Sequence, residues 1–198
     1  MGKPQDWHLA DRQEWADVRS GETVSYTCGY CGREVASSQG WTTAPIKIAL
    51  IRVCPRCKAP TFFSAGGEQH PGPRLGGEVE SLTDDVRRTY DEARNALTVG
   101  AATGTVMLCR KILMHVAVDK GAGNDLSFLA YVEWLVKENW IPRGGQQWVE
   151  FIRKRGNEAN HELPQMTPRD AEGILQFTEL LLRNVYELPA LVPPPPDC

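Results

Sequence analysis

The chain has 198 residues, of which 41% are hydrophobic and 24% are charged, the balance of an ordinary globular protein. Its formal net charge of −3 gives no overall basic field, so any contact with nucleic acid requires a local patch. Asp6, His8 and Asp11 interrupt the N-terminus, and no apolar run approaches the roughly 20 residues that span a bilayer. No secretory or membrane-spanning segment is therefore expected, and the C-x-x-C pairing of four of the six cysteines predicts a reducing, cytoplasmic compartment.

The first part of the chain is predicted to be an N-terminal arm at residues 1–19 and a β-rich module at residues 20–65. Three runs in the module are rich in β-branched and aromatic residues and are bounded by Gly and Pro, which is typical of short strands. These runs are residues 23–27, 46–53 and 60–64. Residues 66–80 contain repeated Gly and Pro and are predicted to be a linker.

Two C-x-x-C pairs in this module predict one structural zinc ion. The four cysteines are Cys28, Cys31, Cys54 and Cys57. A C-x-x-C turn lets two sulfurs converge on one ion, and four thiolates complete the tetrahedron that zinc prefers. The pattern resembles the zinc-ribbon fold. Two redox dithiols are the alternative, although the βαβ context of a thioredoxin-type motif is absent.

The surface of the zinc module is mildly basic, which leaves two interpretations open. Ribbons often bind nucleic acid or protein, but a solvated surface explains the same charges. The basic residues are Arg33, Lys47, Arg52, Arg56 and Lys58. A catalytic role for the ion is disfavoured, because four cysteine ligands leave no open position for water.

From Ser81 onward the apolar residues recur at helical spacing, which predicts a helical domain at residues 81–189. The predicted helices begin at Ser81 or Thr83 and cover residues up to about 97, then 101–118, 126–138 and 146–160. The last helix has Thr167 as N-cap, Pro168 at N1 and Asp170 at N3, and should end before Pro189. Residues 190–198 form a Pro-rich tail.

Residues 151–161 resemble the Ile-Arg-x-x-Gly-Asn-x-Ala-x-His signature of the family called domain of unknown function 4145, which belongs to the HEPN superfamily. The resemblance covers about residues 83–188. Within it, residues 110–113 are similar to the Arg-Arg-x-Leu of the family, and Met114 stands where a Glu is common. The implied fold class is mainly α: a HEPN-like helical bundle preceded by a small β zinc-ribbon module.

The resemblance implies a homodimer and, in many HEPN proteins, a metal-independent ribonuclease with an Arg-x(4–6)-His motif. Candidate catalytic residues are Arg153, Arg155, Asn157 and His161. A histidine near neutral pKa suits proton transfer, and an arginine suits a phosphate in the transition state. On a continuous helix Arg155 and His161 lie about 120° apart, so the site needs a kink or a partner subunit. The alternative for His161 is a helix C-terminal contact.

Other side chains are predicted to be structural. Arg110 and His115 also match Arg-x(4)-His, but they lie about 140° apart on an apolar helix, so His115 is predicted to be a core or interface residue. Cys109, Trp148 and Phe151 are predicted core residues. The tryptophans Trp7, Trp15 and Trp41 are predicted to pack the arm onto the ribbon.

Two hypotheses follow for function. The first is a metal-independent endoribonuclease in antiphage defence, in a toxin system or in restriction. The second is a non-catalytic dimeric adaptor or a module that binds nucleic acid or protein. The expected partners are a second copy of the chain, RNA or DNA, and a protein of a defence or restriction system, without a membrane.

Overall fold

The computed structural model describes residues 19–42, 50–141, 145, 147–149, 151 and 166–191. Its internal contacts divide the chain into two units. The first is Met1–Leu75 with Thr98–Gly100, called here the sheet unit. The second is Gly76–Leu97 with Ala101–Cys198, called here the helical unit.

The sheet unit is a five-stranded antiparallel meander, in which each strand pairs with its neighbour in sequence. Its strands are β1 (Arg19–Thr27), β2 (Glu34–Thr42), β3 (Leu50–Val53), β4 (Pro60–Phe63) and β5 (Gln69–His70). Short connections allow this order because antiparallel neighbours need only a turn between them. The first and third connections contain the two C-x-x-C pairs, so the order of the strands already places them at hairpin ends.

Strand β2 was not predicted from the sequence. Its residues include Ser, Gln and Gly, which have low β propensity, so the strand depends on its pairing with β1 and β3. Gly40 in β2 has φ +146°, and a Cβ there would lie 1.9 Å from the carbonyl oxygen of Ile51. Glycine is therefore required where β2 and β3 approach each other.

The segment predicted to be a linker contains the short edge strand β5. The side-chain amide of Gln69 donates hydrogen bonds to the carbonyl oxygens of Thr27 (2.8 Å) and Pro71 (3.0 Å), which holds the segment against β1. Glycine and proline therefore bracket a strand here. Strand β3 begins at Leu50 in the structure, and the earlier part of its predicted run lies outside the described residues.

The helical unit contains α1 (Asp84–Thr98, of which Thr98 belongs to the sheet unit), α2 (Ala102–Asp119), α3 (Phe128–Lys137) and α4 (Pro168–Leu182). A π-helical turn (Arg183–Glu187) and α5 (Leu188–Leu191) follow α4. Residues 147–149 and 151 are helical as well. Helix α2 packs against both α3 and α4. Its buried apolar side chains form the centre of this unit: Val106, Cys109, Ile112, Leu113 and Val116.

The start of α4 confirms its prediction. The Thr167 hydroxyl accepts a hydrogen bond from the backbone N–H of Asp170, and the Asp170 carboxylate accepts one from the backbone N–H of Thr167. Pro168 occupies the first turn, where no intrahelical donor is needed. This reciprocal capping box was readable from the sequence because all its partners lie within four residues.

The end of α4 differs from its prediction. The chain remains helical past Pro189 to Leu191, through the π-helical turn. Arg183 accounts for the continuation, since its guanidinium contacts Glu179 (2.9 Å) and Glu187 (2.7 Å) and donates to the carbonyl oxygen of Glu78 (2.8 Å). The two ion pairs are local, whereas the bond to Glu78 is a tertiary contact that no pattern within the helix indicates.

The predicted mainly α fold class is wrong. Helices make up only about 50% of the structure, and a curled five-stranded sheet forms a unit of its own before them. The error arose because the residues of β2 and β5 have no strand pattern, so the sequence predicted fewer strands than the sheet contains. In the described residues, no helix combines the length and apolar character needed to cross a membrane.

Candidate metal centre

The four predicted cysteines lie together at one end of the sheet unit. Their sulfur atoms are all within 4.8 Å of one another. The Sγ atoms of Cys28 and Cys57 are 3.6 Å apart, and those of Cys31 and Cys54 are 3.9 Å apart. Both short distances join one cysteine of the first pair to one of the second. The two pairs therefore form a single cluster.

Matching backbone turns present the sulfurs. In the first turn, residues 28–33, the N–H of Cys28 donates to the Arg33 carbonyl and the N–H of Gly32 donates to the Cys28 carbonyl. In the second turn, residues 54–59, the same two bonds join Cys54 with Ala59 and with Lys58. Each turn, called a knuckle here, points two sulfurs in one direction because its backbone is closed by these bonds.

The knuckles need a left-handed residue at the same position. Gly32 has φ +67° and Lys58 has φ +64°, each directly after the second cysteine of its pair. Glycine enters this backbone region without a steric penalty, whereas lysine carries a Cβ that opposes it. Gly29 is also required, because a Cβ there would lie 2.5 Å from the carbonyl oxygen of Gly72.

Without a cation, the thiols of Cys28, Cys31 and Cys57 do not ionise together. A hydrogen bond from the Cys57 thiol lowers the pKa of Cys28 to about 5. Its partnership with Cys28, together with burial, raises the pKa of Cys57, and burial raises the pKa of Cys31. A negative charge on Cys28 thus opposes ionisation of Cys31 and Cys57. A divalent cation removes this conflict, because it stabilises all four thiolates at once.

Zinc fits this donor set. A Zn–S bond of about 2.3 Å implies tetrahedral S···S edges of about 3.8 Å, which the observed 3.6 Å and 3.9 Å bracket. Cys28 and Cys54 are fully buried, whereas Cys31 and Cys57 are half-buried. Four sulfur ligands would close the coordination sphere. The arrangement is compatible with a structural metal site.

An apolar cluster supports the cysteines from inside the sheet unit. Tyr26 packs edge-to-face on Phe63, with ring centroids 5.2 Å apart, and both contact the cysteine cluster. Burial raises the pKa of Tyr26, which keeps the phenol neutral beside the thiolates. This packing is small, so the metal ligands carry much of the order in this end of the unit.

The helical unit carries the family relationship. A family model described as Domain of unknown function (DUF4145) matches residues 91–193, slightly more than half of the chain. The chain belongs to the DUF4145 family. No curated protein and no solved structure matches it. The predicted family is therefore confirmed, whereas the HEPN and zinc-ribbon assignments stay predictions.

The candidate catalytic residues of this DUF4145 protein lie outside the described residues. They are Arg153, Arg155, Asn157 and His161, all within the matched range. The structure therefore leaves their mutual geometry as a prediction. The four cysteines precede the matched range, so the metal centre is an addition to the DUF4145 region.

The second Arg-x(4)-His pattern does not form a site by itself. The Arg110 guanidinium lies 4.3 Å from the centroid of the Phe128 ring, and burial lowers its pKa. His115 is exposed and lines a groove of about 520 Å³ between α1 and α2, together with Lys111. The core alternative predicted for His115 is therefore wrong and the interface alternative stays a prediction, whereas Cys109 is fully buried as predicted. Trp148 and Phe151 are half-buried.

Proposed function

We propose that the chain is a zinc-stabilised, non-catalytic adaptor that acts on or near nucleic acid. The observation that carries this proposal is the closed cluster of four cysteine sulfurs. Because four thiolates fill a tetrahedral zinc ion, the metal would organise the sheet unit and would not activate water. The DUF4145 region would then provide assembly with a second copy.

Metal content tests the first element of the proposal. Purified protein should contain one zinc per chain by elemental analysis. Cys31→Ser and Cys57→Ser should lose it, because three sulfur ligands hold zinc less tightly. Cys109→Ser is the matched control, since Cys109 lies in the helical unit away from the cluster. Protein without zinc, or with another metal in its place, contradicts the proposal.

Nucleic-acid binding is supported by basic side chains on both knuckles, the turns at residues 28–33 and 54–59. Arg33 follows the first cysteine pair and Arg56 lies inside the second, and both are exposed. Fluorescence anisotropy with labelled RNA and DNA should show binding that weakens as salt rises, because phosphate contacts release counterions. Absence of binding at low salt to single- and double-stranded probes overturns this part.

Dimerisation is supported by exposed apolar side chains on the helical unit. Met107 on α2 and Leu180 on α4 are 57% and 56% exposed, and burial of such side chains would favour association. Light scattering at roughly tens of micromolar should show a dimer. Leu180→Glu should give a monomer, whereas Asn124→Glu, at an exposed loop position of the same unit, should not. A monomeric wild type contradicts the proposal.

The rival function is a metal-independent endoribonuclease, which the HEPN resemblance and the Arg155-x(5)-His161 spacing support. Under this hypothesis, His161→Ala lowers RNA cleavage by about two to four orders of magnitude, because it removes a proton-transfer group. Only one of Arg153→Ala and Arg155→Ala should match that loss. The adaptor proposal predicts that wild type leaves RNA intact. Cleavage that His161→Ala abolishes would replace the adaptor with the enzyme.

The proposed cellular setting is a defence or restriction system in the cytoplasm. It is supported by the family resemblance and by the clustering of four cysteines as a possible metal site, a use of cysteine typical of a reducing compartment. The proposed additional partner is a protein of that system. Neighbouring genes for a nuclease or toxin would support this setting, and a consistently metabolic neighbourhood would contradict it.

A further inference from the structure

One row of side chains crosses four strands of the sheet unit in register. Trp41 in β2 pairs with Ile51 in β3, Ile51 pairs with Phe62 in β4, and Phe62 pairs with His70 in β5. Directly opposite residues share a face of the sheet. These four side chains, called the outer row here, therefore form a continuous ladder in which three of the four are aromatic rings.

The outer row lies on the exposed face. Its neighbours along the strands, Arg52 and Thr61, are 3% and 0% exposed and so point into the unit. Phe62 is 42% exposed, and the His70 side chain is 60% exposed. Their ring centroids are 6.1 Å apart with an interplanar angle of 30°. Two adjacent rings are thus presented to solvent at a shallow tilt.

A basic turn adjoins this row. The second knuckle joins β3 to β4, the strands that carry Ile51 and Phe62, and it contains the exposed Arg56 and the half-buried Lys58. Glu68 is the acidic group beside the row, with a carboxylate oxygen 3.9 Å from Nε2 of His70. Exposed aromatic faces beside cationic side chains match a strand of bases and phosphates in both shape and charge.

We propose that the outer row is a stacking platform for single-stranded nucleic acid, with Phe62 and His70 under unpaired bases and Arg56 on a phosphate. This proposal rests on the nucleic-acid contact proposed above and assigns it to one face. Single strands are favoured because their bases are free to stack on protein rings, whereas duplex bases are already stacked. A peptide that added a strand beside His70 would find a poor edge, because β5 has only two residues.

Stacking is tested with the full chain and a labelled 12-nucleotide single strand. Phe62→Ala should weaken binding roughly 5- to 150-fold, the range for loss of one base–aromatic stack. Phe62→Tyr should bind like wild type because it keeps the ring. Leu126→Ala is the matched control, since it removes a similarly exposed apolar side chain, 38% against 42% for Phe62, from the helical unit. Zinc content and circular dichroism must match wild type in each variant.

The phosphate contact and the strand preference are tested separately. Arg56→Gln should make the slope of log affinity against log salt concentration less steep, by the contribution of about one phosphate contact. The preference for unpaired bases should not change. A matched duplex should bind more weakly than the single strand. A photo-crosslink from 5-iodouridine should map to the strand segments that contain Phe62 or His70.

The outcomes separate this inference from the proposed function. If wild type binds nucleic acid and Phe62→Ala binds equally well, the platform is wrong and the general nucleic-acid contact stands. Equal affinity for duplex and single strand also overturns the platform. If wild type binds no nucleic acid, both proposals fail, and the outer row is left as a surface for a protein partner.

Discussion

At the scale of single residues, the two knuckles show how similar backbones arise from different side chains. Gly32 and Lys58 occupy equivalent positions with φ near +65°, a region that glycine enters without steric cost. Lysine has a Cβ and is strained there. The hydrogen bond from the Lys58 N–H to the Cys54 carbonyl, at 2.9 Å, holds it in place.

Replacement of Lys58 by glycine should stabilise the sheet unit. The variant Lys58→Gly should raise the free energy of unfolding by about 0.5–1 kcal/mol, because relief of strain exceeds the added chain entropy. Lys58→Ala keeps the Cβ and is the control for lost charge. The reverse change, Gly32→Ala, should cost about 1–2 kcal/mol. Urea unfolding of zinc-loaded protein measures all three, and a less stable Lys58→Gly variant contradicts the argument.

Cys109 should make the protein less stable in alkali. Burial raises the pKa of its thiol from 9.0 to about 12, so between these values the native state retains a proton that the unfolded state releases. The free energy of unfolding should therefore fall as pH rises, by about 1.4 kcal/mol per pH unit for this group.

This effect is isolated by comparing wild type with Cys109→Ala in the slope of the unfolding free energy against pH. Cys109→Ala removes the titrating thiol, so its unfolding free energy should fall less steeply above pH 9, whatever stability the cavity costs. Urea unfolding at several pH values in a thiol reductant gives both slopes. Identical slopes for wild type and variant would show that Cys109 does not keep its proton in the native state.

At the scale of elements, local and tertiary signals decide different helix ends. The first turn of α4 is closed by Thr167 and Asp170, three residues apart. Its other end is decided by Arg183, which contacts Glu78 from 105 residues earlier in the sequence. The segment before α1 also needs Gly76, since a Cβ there would lie 2.6 Å from the Tyr90 hydroxyl.

Loss of the N-cap should weaken α4 by a predictable amount. Thr167→Ala should lower the free energy of unfolding by about 1 kcal/mol, because the backbone N–H of Asp170 loses its acceptor. Thr167→Ser retains the hydroxyl and should be nearly neutral. Thermal unfolding followed by circular dichroism at 222 nm compares them. Equal losses in both variants would assign the effect to the methyl group and not to the cap.

At the scale of the whole molecule, metal removal should unfold one unit without unfolding the other. The sheet unit has a small apolar cluster around its cysteines, whereas the helical unit has a core of its own. A strong chelator should therefore unfold the sheet unit and leave the helices intact. Hydrogen exchange with mass spectrometry should show lost protection in β1–β4 and unchanged protection in α2 and α4. Simultaneous unfolding of both units, or of neither, contradicts this prediction.

Much of the candidate site was predictable because its signals are local. The C-x-x-C spacing identified the four cysteines that the structure brings within 4.8 Å of one another. The family segment identified the DUF4145 region that the family model matches. Thr167, Pro168 and Asp170 fixed the start of α4 for the same reason, since a capping box is complete within one helical turn.

The remaining features depend on partners distant in sequence. Strand β2 exists because β1 and β3 pair with it, and its Ser, Gln and Gly residues carry no strand pattern. His115 is exposed because the packing of α2 on α3 and α4 selects other residues for the core. The outer row appears only when the register places Phe62 beside His70. The sequence thus determined the ligands, the family and one helix cap, whereas the tertiary structure decided the sheet and its exposed face, because strand pairing sums many weak contacts that no short segment contains.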